Sequence, residues 1–415
     1  MFINRKEFIF KTLGLFSFLS IGRNIFGEEV PILRKKITPI KSVLFINMVG
    51  GMSHIDTFDY KSNSQFLGIN SSIGVKISEV FPNVAKILKH FTLIRSVHSD
   101  TGDHERAQYL LHTGKNLLGG FKDAPSFGAI IAKALEENKE FYFPNHITIG
   151  TKEGVIGDAG FLGNRYKSFH ISNVKEPLTN IKNKYHWLDS SRFLRREMFL
   201  DFLDENFHSN FYSSHIELGK EYFRMAVDFM NSEKISVFNW KEEKESSKKN
   251  YMNSDFGIAL LIAKRCIREQ IPFIQVSLGG WDTHNNNKER IQKLANEVDL
   301  PLYHFVNELK SEGLWQQTLV YINSEFGRKP EIAPNGDGRD HHPKVWSCLL
   351  GGGKIPENHV VGESDKEGRY PIKEAVSIND LLATVYSHVG IDPHTKLYTS
   401  DNRPYTLVQN GEPIL

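Results

Sequence analysis

Two short segments in the C-terminal half of the chain combine carboxylates with imidazoles. Asp282 and His284 follow the apolar run 271–278, and the adjacent residues His341 and His342 follow a later strand-like run. Alternate residues of an extended segment point to the same side, so Asp282 and His284 can both bind one cation at ~2.0 to 2.2 Å. Adjacent residues point to opposite sides, so one of the two later histidines, by preference His341, is expected on the same cation. The two segments therefore predict a metal centre.

Two further polar residues follow the strand-like run 318–323. Glu325 stands where the strand should end, and this position suits a metal ligand or a general base. Arg328 lies three residues later and could hold a tetrahedral oxyanion through two parallel hydrogen bonds. The ordinary alternatives are a surface carboxylate for Glu325, a salt-bridge partner for Arg328 and a solvated turn for Asp282 with His284.

The N-terminal half supplies two more polar clusters. The loop after the first predicted strand contains His54 and Asp56, which we expect among the metal ligands because polar groups crowd this loop. The strongest candidate of the second cluster is His104, which opens a predicted helix whose N-terminal amides favour anions nearby. His104 could complete a second metal site or transfer protons. Thr101, or alternatively Ser99, is the candidate nucleophile.

Strands and helices alternate along most of the chain, and this pattern favours an α/β fold with a mostly parallel central sheet and helices on both faces. Strands are predicted in SVLFINMVGG, IPFIQVSLGG, TLVYINSEFGR and VWSCLLGGG. The stretch 164–253 is rich in charged and aromatic residues without a strand pattern, so it predicts a helical insertion. Open α/β sheets bind ligands where their strands end, so this fold would bring the polar loops together.

The composition is that of an ordinary soluble enzyme. The 415 residues are 40% hydrophobic and 24% charged, and the formal net charge of +2 is too small to indicate a nucleic-acid partner. Both cysteines, Cys266 and Cys348, lie in apolar patterns and are expected as buried hydrophobic residues. Neither a disulfide framework nor a cysteine-based zinc site is predicted.

The first 28 residues differ in kind from the rest. Arg5 and Lys6 precede an apolar stretch too short to span a bilayer comfortably, which predicts an export signal and a periplasmic or extracellular protein. NRKEFIFK resembles the twin-arginine pattern, with Lys6 in place of the second arginine. Retention as a membrane anchor stays open, because NIFG lacks the small-x-small cleavage pattern, and a surface amphipathic helix is the ordinary alternative. The folded domain is expected at 38–415.

Several motifs resemble known families. TLVYINSEFGR is similar to a segment of the sulfatases and phosphomutases of the alkaline-phosphatase superfamily, with Glu325 and Phe326 where that superfamily has a metal-binding Asp-His pair. GGMSHIDTFD, HSDTGDHERAQYLLHTG, GGWDTHNN, SEFGRKP and GRDHHP together resemble the exported bacterial domain-of-unknown-function family fifteen hundred and one, which is often grouped with sulfatases. The resemblance implies an alkaline-phosphatase-like fold.

The chain departs from the superfamily at positions that carry chemistry. Asn47 and Met48 stand where the first strand should deliver a metal-binding aspartate. Counting back from Thr113 and Gly114 by the superfamily's spacing places His104 at the nucleophile position, and imidazole is more often a metal ligand or general base. The chain has no Cys-x-Pro-x-Arg segment, so formylglycine-dependent sulfatase chemistry is disfavoured.

These observations predict an exported, metal-dependent hydrolase of phosphate or sulfate esters. The substrate would be a small-molecule or glycan anionic ester, and the membrane would be contacted only through an uncleaved N-terminal segment. Imidazole and carboxylate ligands together suit zinc or manganese. The alternative is a non-catalytic exported binding protein on the same fold.

Overall fold

A run of seven buried residues, Ser42–Met48, forms the strand at the centre of the sheet. It pairs in parallel with Phe273–Leu278 on one side and with Thr318–Asn323 on the other. A strand between two parallel neighbours has both faces covered by protein, which explains why its sequence is almost continuously apolar. The predicted strands in these three segments are confirmed.

The computed structural model describes a large part of the chain between residues 38 and 415. The described residues are 38–117, 119, 123–136, 143–151, 158–179, 195–196, 198–199, 202, 214–251, 254–334, 336–399 and 401–415. The predicted export segment, residues 1–28, lies outside them. None of the helices in this part of the chain combines the length and the apolar character needed to cross a membrane.

The central sheet contains nine strands in the described residues. They are β1 (Ser42–Met48), β2 (Phe91–His98), β3 (His146–Gly150), β4 (Phe169–Ile171), β5 (Phe273–Leu278), β6 (Thr318–Asn323), β7 (Trp346–Gly351), β8 (His359–Val361) and β9 (Val376–Ser377). Their order is β8-β2-β7-β6-β1-β5-β3-β4, and β9 also pairs with β2. All pairings are parallel except those of β7, which runs antiparallel to β2 and β6. The predicted α/β fold with a mostly parallel sheet is therefore confirmed.

Helices cover both faces of the sheet. The α-helices of the described residues are α1 (Val84–Ile87), α2 (His104–Thr113), α3 (Phe127–Leu135), α4 (Ser214–Asn231), α5 (Glu245–Lys248), α6 (Asp255–Arg268), α7 (Asn287–Ser311) and α8 (Ile378–Val389). Alternate side chains of β1 enter two separate cores: Leu44 and Ile46 pack with α6 and α7, whereas Val43 and Phe45 pack with α2, α3 and α8. Because strand side chains alternate between faces, this division shows a three-layer arrangement.

The stretch predicted as a helical insertion, 164–253, contains α4 and α5. It also contains β4, which pairs in parallel with β3 at the edge of the sheet. The sequence did not indicate this strand because three residues are too few to show a strand periodicity. The part of the stretch from 180 to 194 lies outside the described residues.

The two cysteines occupy the interior. Cys266 and Cys348 are both free and fully buried, as predicted. Cys266 lies on α6 and packs in the first core, and Cys348 lies on β7 in the second.

The topology brings several loops to one edge of the sheet. Because β1, β2, β5 and β6 are all parallel, their carboxyl ends lie at the same edge. β7 runs in the opposite direction, so it begins where those strands end. A short antiparallel ladder between Gly327–Arg328 and His341–His342 lies before β7 in the chain and joins the loop after β6 to the segment that leads into β7.

Candidate metal centre

The loop after β1 brings backbone close to the loops after β5 and β6. Gly50 and Gly51 have φ angles of +121° and +79°, in the left-handed region that favours glycine. A Cβ on Gly50 would lie 2.4 Å from the backbone nitrogen of Asp282, and one on Gly51 would lie 2.5 Å from the ring of Phe326. Two glycines are therefore needed for the three loops to approach one another.

Asp282, His284 and His341 meet at this edge. Nε2 of His284 lies 3.0 Å from Nε2 of His341 and 3.2 Å from Oδ1 of Asp282. Nε2 of His341 lies 3.5 Å from the same Asp282 oxygen. The structure thus brings together the two segments, around residues 282 and 341, that are distant in sequence.

His104 approaches the same point from α2. Asp103 caps this helix by accepting a hydrogen bond from the backbone nitrogen of Arg106, so His104 is its first residue. Nε2 of His104 lies 3.5 Å from Oδ2 of Asp282, and its ring centroid is 4.4 Å from that of His341. We call His104, Asp282, His284 and His341 the histidine–aspartate cluster.

Each imidazole of the cluster is held through its other ring nitrogen. Nδ1 of His104 is 2.8 Å from Oε1 of Glu325, Nδ1 of His341 is 2.6 Å from the carbonyl oxygen of Gly102, and Nδ1 of His284 is 3.3 Å from Oδ1 of Asp340. Because carboxylate and carbonyl oxygens only accept hydrogen bonds, the neutral rings of His104 and His341 donate their Nδ1 protons and leave Nε2 with a free lone pair. His284 has a carboxylate beside each ring nitrogen, Asp340 at Nδ1 and Asp282 at Nε2. Metal-binding histidines are commonly oriented in this way.

The spacing of the donor atoms fits one cation. His104, Asp282 and His341 each offer an atom, and these atoms lie within 4.8 Å of one another. Ligands bonded to one metal at ~2.0 to 2.2 Å are separated by roughly 3 to 3.5 Å. His284 is outside this group of three, but its Nε2 lies 3.0 Å from that of His341 and 3.2 Å from Oδ1 of Asp282. Nε2 of His104 is also buried and has no hydrogen-bond partner in the described part of the chain. The residues therefore fit a divalent cation.

The surrounding charges set the protonation of the cluster. The hydrogen bond to Glu325, reinforced by its charge and that of Asp282, raises the pKa of His104 against the effect of burial. Burial, followed by the charge of Arg328, lowers the pKa of His341. Burial alone would raise the pKa of Asp282, but the ion pair with Arg328 outweighs it and leaves the pKa below its ordinary value. Asp282 is thus an anion and His341 a neutral ring at neutral pH.

Glu325 lies behind His104. It is fully buried, and its Oε1 accepts hydrogen bonds from His104 and, at 2.8 Å, from the backbone nitrogen of Gly50. Its Oε2 accepts a hydrogen bond of 3.1 Å from Ser324. The sequence suggested a ligand or a general base, but these contacts instead suit a carboxylate that orients an imidazole.

Arg328 holds the loops together. Its buried guanidinium donates to the carbonyl oxygens of Gly50, Gly51 and Arg339, and it forms an ion pair with Oδ1 of Asp282. The sequence suggested that Arg328 contacts a substrate oxyanion. The guanidinium group of Arg328 instead donates its hydrogen bonds within the protein, because backbone carbonyl groups enclose the side chain.

Three residues predicted as ligands are placed outside the cluster. Asp56 is buried in a separate ion pair with Arg339, whose Nε lies 2.8 Å from Oδ2. Nε2 of His54 contacts the carbonyl oxygen of Gly368 at 2.8 Å, and Nε2 of His342 contacts that of Arg369 at 2.7 Å. His54 and Asp56 thus use their polar atoms for contacts within the protein. His342 points away from His341 because adjacent residues of a strand face opposite sides.

Thr101 also lies apart from the cluster. Its hydroxyl accepts a hydrogen bond of 3.4 Å from the backbone nitrogen of Asp103, and it lines a cavity of about 330 Å³ with Ser99, His98 and Arg106. No hydrogen bond joins Thr101 to the cluster among the described residues. His112, which also lies on α2, is buried in the core, where its Nε2 lies 3.1 Å from Oε1 of Gln275.

Two contributions to the cluster had no signal in the sequence. The carbonyl of Gly102 orients His341, and any residue type supplies a carbonyl. Phe326 is fully buried, with its ring centroid 4.9 Å from that of His104 and 4.7 Å from that of His341.

The chain is similar to several solved structures at low identity. The PsFucS1 sulfatase from Pseudoalteromonas sp. shares 14% identity over 84% of this chain and 68% of the sulfatase, with a TM-score of 0.42. The phosphonate monoester hydrolase of Agrobacterium radiobacter shares 13% identity over 90% and 78%, with a TM-score of 0.40. The zinc complex of the periplasmic domain of EcEptC from Escherichia coli shares 10% identity over 88% and 87%, with a TM-score of 0.41.

No curated protein matches the chain significantly. The family described as "Protein of unknown function (DUF1501)" matches residues 40–415, and the protein belongs to this family.

Proposed function

We propose that the protein is an exported, metal-dependent hydrolase of phosphate or sulfate esters. The observation that carries the proposal is the common orientation of three imidazoles. His104, His284 and His341 each have Nδ1 near an acceptor oxygen, and each directs Nε2 toward the carboxylate of Asp282. A cation bound at that point would take the Nε2 lone pairs, while Nδ1 of each ring stays beside its acceptor oxygen.

The exposure of the cluster favours a catalytic centre over a structural one. The side chains of His104, Asp282, His284 and His341 are 36%, 44%, 42% and 27% exposed. Structural zinc sites are closed by their protein ligands, whereas catalytic sites keep a position open to water or substrate. A substrate can therefore reach the cluster from solvent.

The donors suffice for one cation. Imidazole and carboxylate suit zinc or manganese, and the ligands would be Nε2 of the three histidines and a carboxylate oxygen of Asp282. When bound, a divalent cation supplies Lewis acidity that polarises an ester and acidifies water. The sequence predicted Glu325 as a ligand of a second metal or as a proton-transfer group. Its carboxylate instead accepts hydrogen bonds from Gly50, Ser324 and His104. We therefore propose a mononuclear centre.

The protein's own residues prepare the reaction in two ways. Glu325 fixes the ring of His104 and favours its Nδ1–H tautomer. Arg328 fixes Asp282 as an anion while its own guanidinium stays buried. The ester specificity is proposed from the resemblance of the motifs to sulfatases and phosphatases, and the substrate is a small-molecule or glycan ester with an anionic group.

Metal content and turnover test this function together. The purified protein is stripped with a chelator, reloaded with zinc or manganese, and measured by elemental analysis and with nitrophenyl phosphate, phosphodiester and sulfate substrates. We expect one metal per chain and turnover of at least one ester, both lost in Asp282→Ala and His341→Ala. His342→Ala is the matched control, because it removes an adjacent imidazole outside the cluster.

The second candidate is a non-catalytic exported binding protein. It is favoured by His104, an imidazole at the position where the superfamily has its nucleophile. Metal that binds stoichiometrically without turnover of any ester would support this candidate. A protein that binds no metal and turns over no ester would exclude the proposed centre and the proposed reaction.

A further inference from the structure

Phe326 packs directly against the histidine–aspartate cluster. The centroid of its ring lies 4.9 Å from that of His104 and 4.7 Å from that of His341, and the two imidazole centroids are 4.4 Å apart. Aromatic rings at these separations are in contact. The phenyl ring therefore borders two of the imidazoles that would hold a cation.

The protein encloses the Phe326 ring on its other sides. A Cβ on Gly51 would lie 2.5 Å from the ring, and the guanidinium carbon of Arg328 lies 5.9 Å from the ring centroid. Phe326 is fully buried, whereas the side chains of His104 and His341 are 36% and 27% exposed. The cluster thus has one side that faces solvent and another that a phenyl ring closes.

The closed side limits what can approach a bound cation. A phenyl ring has no lone pair that could serve as a metal ligand, and it fills space that a water molecule could otherwise occupy. Nε2 of His104 is buried, although the imidazole as a whole is partly exposed. The hydrophobic surroundings of a metal site control the access of solvent to it. Water can therefore complete the coordination only from the open side.

We propose that Phe326 determines the metal specificity of the centre by holding its coordination number below six, which favours zinc over manganese. This inference rests on the metal centre of the proposed function and does not depend on the ester. Zinc accepts four or five ligands, which four protein donors and one water provide. Manganese prefers an octahedral set rich in oxygen, and this set would require a further water on the side that Phe326 fills. Imidazole ligands alone already favour zinc, and Phe326 would add to that preference.

The test compares metal affinities without turnover. The full chain is stripped of metal and titrated with zinc or with manganese in competition with a chromophoric chelator. In Phe326→Leu we expect the ratio of zinc affinity to manganese affinity to fall by about tenfold, the lower end of the effect of altering the groups around a metal ligand. Phe127→Leu is the matched control, because Phe127 is also fully buried and packs in the same core. An unchanged ratio in Phe326→Leu, or an equal fall in Phe127→Leu, would overturn the role of Phe326.

Cobalt(II) in place of zinc reports the coordination number in the wild type, so the test does not depend on the folding of a variant. Four- and five-coordinate cobalt(II) absorbs visible light more strongly than six-coordinate cobalt(II). We expect strong bands from the wild type and weaker bands from Phe326→Leu. Weak bands from the wild type, at one cobalt per chain, would overturn this inference and leave the metal centre standing. A wild-type chain that takes up no metal would overturn both proposals. The expected affinity ratio without turnover of any ester would support the inference and refute the hydrolase.

Discussion

Nδ1 of His104 and Oε1 of Glu325 lie 2.8 Å apart, although 221 positions separate the two residues in the chain. The contact joins the first residue of α2 to the loop after β6. It also removes one ring nitrogen of His104 from solvent and directs the other toward Asp282.

Replacement of Glu325 by glutamine should weaken metal binding while leaving the fold in place. The glutamine side chain keeps the size and one acceptor, but it loses the charge that favours the Nδ1–H tautomer of His104. Loss of such a supporting carboxylate typically lowers metal affinity by about 10 to 100-fold. Competition with a chromophoric chelator measures the change. Glu331→Gln on the same loop is the control, because Glu331 is 52% exposed and pairs with Arg369; a similar loss in both variants would refute the role of Glu325.

Replacement of Arg328 by lysine should destabilise the protein. Lysine cannot supply the planar set of donors that binds the carbonyls of Gly50, Gly51 and Arg339, so buried acceptors lose their partners. Each buried acceptor left without its donor costs about 1 to 3 kcal/mol. Urea unfolding of the metal-free protein gives the free energy of unfolding. Arg369→Lys changes an exposed pair and should shift that energy by less than about 1 kcal/mol; if both variants behave alike, Arg328 does not hold the loops.

The turn at Gly51 should tolerate no side chain. Gly51→Ala combines a positive φ with a Cβ 2.5 Å from the ring of Phe326, whereas Gly74 has a similar φ of +76° and nothing within 4 Å. Both alanine variants bear the strain of the left-handed conformation, about 1 to 3 kcal/mol. Only Gly51→Ala adds overpacking, about 1 to 3 kcal/mol more. Thermal unfolding of both proteins separates the two effects, and equal melting temperatures would contradict the close approach of Phe326.

Acid should destabilise the protein through His146. This residue is fully buried beside the carbonyl oxygen of Tyr166, and burial lowers its pKa to about 4. Between about pH 6.5 and pH 4 the unfolded chain therefore binds a proton at this residue that the folded chain does not. Stability is lost as the pH falls through that window, at about 1.4 kcal/mol per pH unit. His146→Gln should reduce the slope of the unfolding free energy against pH by that amount. An unchanged slope would show that a group other than His146 causes the acid sensitivity.

The sequence predicted the positions of the strands better than the roles of the polar residues. β1, β5 and β6 are buried on both faces, so long apolar runs reveal them, whereas β4 has three residues and shows no pattern. Alternation in a strand indicated that only one of His341 and His342 would face the cluster, but it did not determine which one.

The roles of Arg328 and Asp56 required the three-dimensional structure. Both side chains are fully buried and form ion pairs with residues far away in the chain, Arg328 with Asp282 and Asp56 with Arg339. Local sequence contains no information on such distant partners. A polar residue in a loop therefore appears equally suited to binding a ligand and to joining two loops.

Because β7 runs in the opposite direction, the segment before it, rather than the one after it, brings a histidine to the cluster, and this order matters for the synthesis of the protein. His341 reaches the cluster just before β7 begins, whereas His104 and Asp282 follow β2 and β5. A nascent chain that has emerged from the ribosome only as far as β6 has no His341 and cannot complete the cluster. Metal can be captured by the full set of side chains only after residue 341 has been translated.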